Sequence, residues 1–492
     1  MMIRLHALPL ALALTFAAAA PAALAADDKP PASDSKDKAD DKDVIKAPVA
    51  EQAHPQHGSV AIAGKTIDYK VTPGTLTIRN AKGEPTASMF YVAYTVAGEK
   101  HRPVTFLFNG GPGSASLWLH MGSFGPLRVN TPTADATGPA PFNITPNDQS
   151  LLDKTDLVFL DAIGTGFSRT LGKAKGADFF GVDQDINAFA DGIIRYLTIN
   201  NRWNSPKFVL GESYGTLRAA GLSLALQERG ANLNGVILLS SILNYGIRTP
   251  GYDNIYVGYL PSYAATAWYH NKLTNKPAAL KPFLDEVRAF AAGPYLAALA
   301  KGDALPDAER DAVAEKLAAY TGLSKAFILK AKLRVELGRF RKELLRDEGK
   351  TLGRYDTRFT GVDTDEAGEH PESDPSDDAV SGAYVAAINN YLFATLGYKT
   401  ELTYNLSARD KDFKWDWQHK APGFGGYGPM PVANTAVDLG AAMRRNPHLK
   451  VLSLNGYYDM ATPFFITEYD LAHMELEPAQ RRNLSFAYYE SG

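Results

Sequence analysis

The sequence predicts an α/β protein with a mostly parallel central sheet, interrupted late by a helical insertion. Three observations carry this. Short unbroken apolar runs recur between residues 103 and 456: PVTFLFNGG, TDLVFLDA, PKFVLGES, GVILLSS and LKVLSLNG. Such runs suit strands buried on both faces of a sheet that helices cover. Segments with helical spacing, VDQDINAFADGIIRYLTIN and TLRAAGLSLALQERG, lie between several of them, the alternation that builds parallel sheets. From 245 to 425 the strand pattern stops, and LKPFLDEVRAFAAGPYLAALAKG, DAERDAVAEKLAAYTG and SKAFILKAKLRVELGRFRKELLRDEG read as helices.

In chain order, residues 1–25 hold one Arg, an apolar run and then Ala23-Leu24-Ala25. That is the layout of a secretory signal with a small-x-small cleavage site. The run is too short to span a bilayer comfortably, so the expectation is export to the periplasm or the extracellular space with no stable membrane anchor. Residues 26–58 are rich in Asp, Lys and Pro and have too little apolar surface to order themselves, which predicts a disordered charged linker. From Ser59 the pattern alternates, as SVAIAG, TIDYKVTPGTLTIRN and ASMFYVAYTV, giving antiparallel strands that open a core of residues 59–244. The insertion, 245–425, contains the acidic stretch TGVDTDEAGEHPESDPSDD, expected as an exposed loop. The core resumes over 426–492.

Composition narrows the chemistry. At 492 residues with 45% apolar content, the chain can bury one large catalytic core with an insertion. A net charge of −3 lacks the basic footprint of a nucleic-acid binder. Cysteine is absent, which removes disulfides, thiol catalysis and cysteine metal sites. No metal or cofactor pattern is present, and oligomeric state is left unspecified.

Gly211-Glu212-Ser213-Tyr214-Gly215 follows the apolar run KFVL and opens a helical segment. This is G-x-S-x-G in the strand-to-helix context that exposes a serine hydroxyl on a sharp turn. An acyl-transfer serine needs donors for a developing oxyanion. One is the amide of Tyr214. The other is expected from Asn109-Gly110-Gly111-Pro112-Gly113, which follows the run FLF. Read alone, that loop is equally a plain turn or a phosphate cradle, but its glycine spacing is not that of a dinucleotide loop and no G-K-[ST] follows. The acid of a triad belongs at the end of a later strand, and VLSLNGYYD ends in Asp459.

FLFNGGPGSASLWLHMGSFGPLRV, SLLDKTDLVFLDAIGTGFSRT, FVLGESYGTL and VLSLNGYYDMATPF together resemble the serine carboxypeptidase family of α/β-hydrolases, from about Val104 onward. The resemblance implies an α/β-hydrolase fold with a helical cap, and hydrolysis of C-terminal peptide bonds favoured at acidic pH. It implies Ser213 as nucleophile, Asp459 as orienting acid, and the amides of Gly111 and Tyr214 as oxyanion hole. Asn109, Gly110 and Glu212 would grip the free C-terminal carboxylate of a peptide substrate. A carboxylate beside Glu212 is tolerated when the two share a proton. Two positions depart from the family pattern: Ser123 stands where a second gripping Glu is usual, and Ser114 where a Cys is common.

The base is expected last, in the order Ser, Asp, His. Of the ten histidines only His473 follows Asp459, within a helix-like segment that would pack outside the sheet. The family carries its histidine in the loop after the last strand, here LSFAYYE, so the expected position lies just beyond Gly492 and the 492-residue chain is expected to be impaired. Competing readings are an esterase, an aminopeptidase-like enzyme or an acyltransferase on the same scaffold, or a non-catalytic binding protein using the same cleft.

Overall fold

A ten-stranded sheet runs through the computed structural model, which describes residues 45–98, 101–409, 413–423 and 428–492. The expected export signal and the start of the expected linker, before residue 45, lie outside the described residues. Its main strands are β1 (Gln56–Ile62), β2 (Lys65–Arg79), β3 (Pro85–Thr95), β4 (Val104–Phe108), β5 (Asp156–Leu160), β6 (Lys207–Ser213), β7 (Gly235–Ser241), β8 (Lys450–Gly456) and β9 (Leu484–Tyr489). They lie side by side as β1-β2-β3-β5-β4-β6-β7-β8-β9, with the two-residue strand Arg169–Thr170 paired to β3. The first three contacts are antiparallel. Every contact from β5 onward is parallel.

The apolar runs explain this placement. All five residues of β4 and all five of β5 are buried. Side chains alternate along a strand, so Phe106 and Phe108 of β4 join one core while Leu107 joins the core on the opposite face. The first face is covered by α1 (Val182–Ile199), α2 (Tyr214–Glu228) and α7 (Ala436–Arg445). Each large apolar side chain buried this way contributes roughly 1.5–3 kcal/mol.

Within the insertion, α3 (Asn254–Tyr269), α4 (Leu280–Phe290) and α5 (Asp307–Thr321) build a separate apolar cluster. Its later part does not belong to that cluster. In α6 (Ser381–Asn390), Ala383, Ala387 and Ile388 pack with Phe90, Leu107, Phe159 and Leu210 of the sheet. The final described helix to note is α8 (Phe464–Ala472), between β8 and β9.

Four expectations are corrected. The linker does not run to residue 58: β1 begins at Gln56, Val49 O accepts from Thr77 Oγ1, and Gln52 N donates to Thr75 Oγ1. Threonines on β2 thus offer the partners that composition alone does not reveal. The insertion contains strand pairing, since Thr351–Leu352 pairs with Thr360–Gly361. The expected helix from Ser324 breaks at residues 331–336, where Lys332 and Leu333 take positive φ. Tyr295 and Tyr263 donate their hydroxyls to the carbonyls of Leu333 and Val335, tying down backbone there from outside the helix. The acidic stretch is not wholly solvated, because Lys342 Nζ meets Asp363 Oδ2 at 2.5 Å with both side chains buried.

Candidate active site

The chain enters the site on β6 and leaves it on α2. Between them Ser213 has φ 56° and ψ −128°, a backbone state that costs a non-glycine residue about 1–3 kcal/mol and is held only by its surroundings. The flanking glycines are required by space. A Cβ on Gly211 would lie 2.0 Å from Gly215 O, and one on Gly215 would lie 2.9 Å from Phe108 O. The turn is therefore packed against the end of β4.

The loop that follows β4 lies directly on this turn. A Cβ on Gly110 would stand 2.4 Å from the amide nitrogen of Tyr214 and 2.5 Å from that of Gly215. Gly111 has φ 104°, which lets the backbone twist as a side chain would not allow. Gly110 thus lies against the first amides of α2, the positive end of the helix dipole, with Gly111 next in the chain.

Asn109 organises the loop. Its Nδ2 donates to Glu212 Oε2 at 2.8 Å, its Oδ1 accepts from Leu119 N at 3.1 Å, and its carbonyl accepts from Arg218 Nη1 at 2.8 Å. Arg218 is fully buried and pairs with Asp185 at 2.7 Å, with its guanidinium 4.0 Å from the centre of the Phe189 ring. This buried pair was invisible in the sequence, since Asp185 and Arg218 sit on different helices.

Burial lifts the carboxyl of Glu212 to about 7, with the charge of Asp459 adding to the rise and bonds from Asn109 and the Gly110 amide opposing it. Asp459 follows β8 and is buried. Its Oδ1 accepts from the amides of Ala461 (2.8 Å) and Thr462 (2.9 Å), and its Oδ2 from Thr462 Oγ1 (2.5 Å). Burial raises its pKa, opposed by the bonds from Thr462, Ser240 and Ala461.

A cleft of about 720 Å³ joins these groups. Ser213, Asn109, Gly110, Gly111, Glu212 and Asp459 all line it, as does Ser123. The Tyr214 side chain does not: it is buried against Trp415, ring centres 5.3 Å apart, leaving its backbone amide as the relevant group. The insertion adds Arg248, Arg354, Tyr355 and Arg409 to the wall, and Arg409 Nη2 donates to Gly111 O at 2.7 Å. Sequence reasoning missed these arginines because isolated cations carry no motif.

Four of the described histidines have other partners. His120 Nε2 lies 2.6 Å from the Tyr94 hydroxyl, His270 Nε2 lies 2.7 Å from Thr357 O, and His419 lies between Asp183 and Asp438. His473 Nδ1 is 2.6 Å from Tyr469 O in its own helix. At the other end of the site Gly492 lines the cleft, and Tyr458 N donates to Ser491 O at 3.1 Å. The segment after β9 thus leads into the site beside Asp459. Among the described residues no group of three or more His, Cys, Asp or Glu side chains is placed to hold a metal ion, and no helix is long and apolar enough to cross a membrane.

Residues 65–276 match the family model described as serine carboxypeptidase, peptidase S10. Among solved structures, Kex1(delta)p, a prohormone-processing carboxypeptidase from Saccharomyces cerevisiae, is similar at 14% identity. The match covers 86% of this chain and 87% of that one, with a TM-score of 0.51, which speaks for a shared fold. A proline iminopeptidase from Mycobacterium smegmatis matches at 14% identity over 84% of this chain and 89% of that one, with a TM-score of 0.31.

Proposed function

Taking the chain as an α/β-hydrolase whose residues 65–276 match the serine carboxypeptidase family, we propose that it releases C-terminal residues from peptides through an acyl-enzyme on Ser213. The observation that carries this reading is the Asn109–Glu212 hydrogen bond beside the serine turn. An esterase has no use for a carboxyl held protonated near neutral pH within the acyl cleft. A carboxypeptidase does, because a neutral Glu212 can donate its proton to the terminal carboxylate of a substrate.

In the proposed reaction Ser213 Oγ attacks the scissile carbonyl carbon as its proton passes to a histidine base, and the oxyanion forms at the amides of Gly111 and Tyr214. Collapse expels the C-terminal amino acid, protonated by the base, and water then hydrolyses the ester. Asp459, which lines the same cleft, is the proposed partner that orients this base. Delivery to the periplasm or the extracellular space is proposed from residues 1–25.

The test compares residues 1–492 with the same chain extended past Gly492 by a Gly-His-containing tail, using blocked dipeptides as free acids and as C-terminal amides. The extended chain should hydrolyse the free acids much faster. Equal rates would refute the placement of the base. Extended chain whose Ser213 resists a fluorophosphonate would instead favour a non-catalytic binding protein.

A further inference from the structure

We propose that Arg248 and Arg354 form an anion subsite in the Ser213 cleft that selects peptides bearing an acidic side chain next to the scissile bond. The inference rests on the carboxypeptidase reading and names its substrate class.

Both residues line the cleft with Ser213, and both are fixed around Asp459. Arg248 Nη2 donates to Ala461 O at 2.6 Å. The backbone of Arg354 is held on both sides, its N–H donating to Asp374 Oδ1 at 2.8 Å and its carbonyl accepting from Met460 N at 3.0 Å. These anchors place the two side chains on the wall formed where the insertion meets the loop after β8.

Their guanidinium groups differ from those of several other arginines in this protein. Arg218, Arg288, Arg334 and Arg358 each hold a carboxylate within 3.0 Å. Among the described residues neither Arg248 nor Arg354 makes an ion pair, and Arg248 Nε is buried with no hydrogen-bond partner. Each side chain lies instead by an aromatic ring, Arg248 5.5 Å from the centre of Tyr245 and Arg354 5.5 Å from that of Tyr355. A partly desolvated cation with unspent donors is costly unless an anion arrives. A guanidinium also presents paired N–H groups that match a carboxylate in two places.

The carboxyl groups of the wall do not fill that role. Glu212 is engaged by Asn109, and Asp459 accepts three bonds from residues 461 and 462. Asp377 accepts from Ser381 Oγ at 2.9 Å. A third cation, Arg409, is committed to the carbonyls of Gly111 and Pro112, and adds positive charge without competing for the ligand. Arg248, Arg354, Arg409 and Glu212 all line the one cleft, as does Tyr245. A substrate gripped by Glu212 at its terminal carboxylate therefore brings its neighbouring side chain within the field of the arginines.

Calorimetric binding decides it, with two matched pairs of blocked dipeptides that put Glu or Gln first on the acyl side, then on the leaving side. For one pair the Glu peptide should bind about 10–100-fold more tightly than its Gln isostere, the size of one charge-assisted hydrogen bond. In Arg354→Gln that ratio should fall towards one, and Arg354→Glu should shift preference to the matching Lys peptide. Arg248→Gln serves as the second variant, and circular dichroism reports that each variant is folded. Equal binding of Glu and Gln peptides in both pairs overturns the subsite, as does a ratio that survives both arginine substitutions. Comparing each free acid with its C-terminal amide tests the carboxypeptidase reading separately: no preference there removes that reading whatever the Glu-to-Gln ratio.

Discussion

Asn109 and Glu212, 103 positions apart, are joined by a 2.8 Å hydrogen bond across the serine turn. The bond couples the loop after β4 to the strand that delivers Ser213. Through one side chain, the protonation of Glu212 is linked to the placement of the glycines at the proposed oxyanion hole.

Glu212→Gln tests that linkage by its pH profile. The carboxyl titrates near 7, chiefly through burial, so it is protonated below that pH and ionised above it. Affinity for a free C-terminus should fall as pH rises through about 7 in the native protein. The Gln variant should lose this step and bind more weakly in acid. Stability follows the same sign: a raised folded pKa stabilises below the ordinary value of 4.5 and loses that contribution as pH rises to about 7. A KM-against-pH curve of unchanged shape in the variant would remove Glu212 from carboxylate recognition.

Gly110→Ala should disable the site. Its Cβ would meet three backbone atoms within 2.8 Å, the amides of Tyr214 and Gly215 and the carbonyl of Glu212. Backbone on both sides cannot yield as a flexible side chain would. Displacing the loop removes a donor from the proposed oxyanion hole, and turnover should fall about 10²–10³-fold. Slow fluorophosphonate labelling of Ser213 in a still-folded variant is the expected readout; native-like labelling would contradict the packing.

The parts legible in the sequence were those written in contiguous residues. The buried runs VTFLF and DLVFL gave strands because four of five positions in each are apolar, and the turn around Ser213 was readable because its glycines are dictated by space at 2.0–2.9 Å. What was not legible depends on partners distant in sequence. Arg218 finds Asp185 and the Asn109 carbonyl only once α1 and α2 are packed. Residues 49–54 are held by the threonines of β2 and by an ion pair from Glu51 to Arg195 of α1, partners distant in sequence. The helix expected through Leu333 breaks where tyrosines on α3 and near α4 reach its carbonyls.

The Arg218–Asp185 pair should be costly to break from one side. Both side chains are buried, so Arg218→Met strands Asp185 without its cation and leaves the Asn109 carbonyl without that donor. A loss of about 3–5 kcal/mol in unfolding free energy is expected, read by urea denaturation. The double variant Arg218→Met with Asp185→Leu should be less destabilised than the sum of the two singles, because no charge is then left buried. Additive losses would show that the pair acts independently of its charge.

His419 should make stability depend on pH from the alkaline side. It ties the first turn of α1 to that of α7, with Nδ1 2.6 Å from Asp183 Oδ1 and Nε2 2.8 Å from Asp438 Oδ2. Burial pulls its pKa down, but the bonds and charges of the two aspartates outweigh this and raise it to about 9 from an ordinary 6.5. A raised folded pKa stabilises fully below 6.5 and is lost as pH climbs to about 9, a contribution on the order of 3 kcal/mol. Trp415 and Trp417 lie on the same segment and pack on Tyr214, so losing the imidazolium should also loosen one wall of the cleft. The melting temperature should therefore drop between pH 6.5 and 9 more steeply in the native protein than in His419→Gln, with tryptophan fluorescence following the same curve. Parallel curves for the two proteins would mean that the ring is held neutral, and the clamp between the helices would then be an ordinary hydrogen bond.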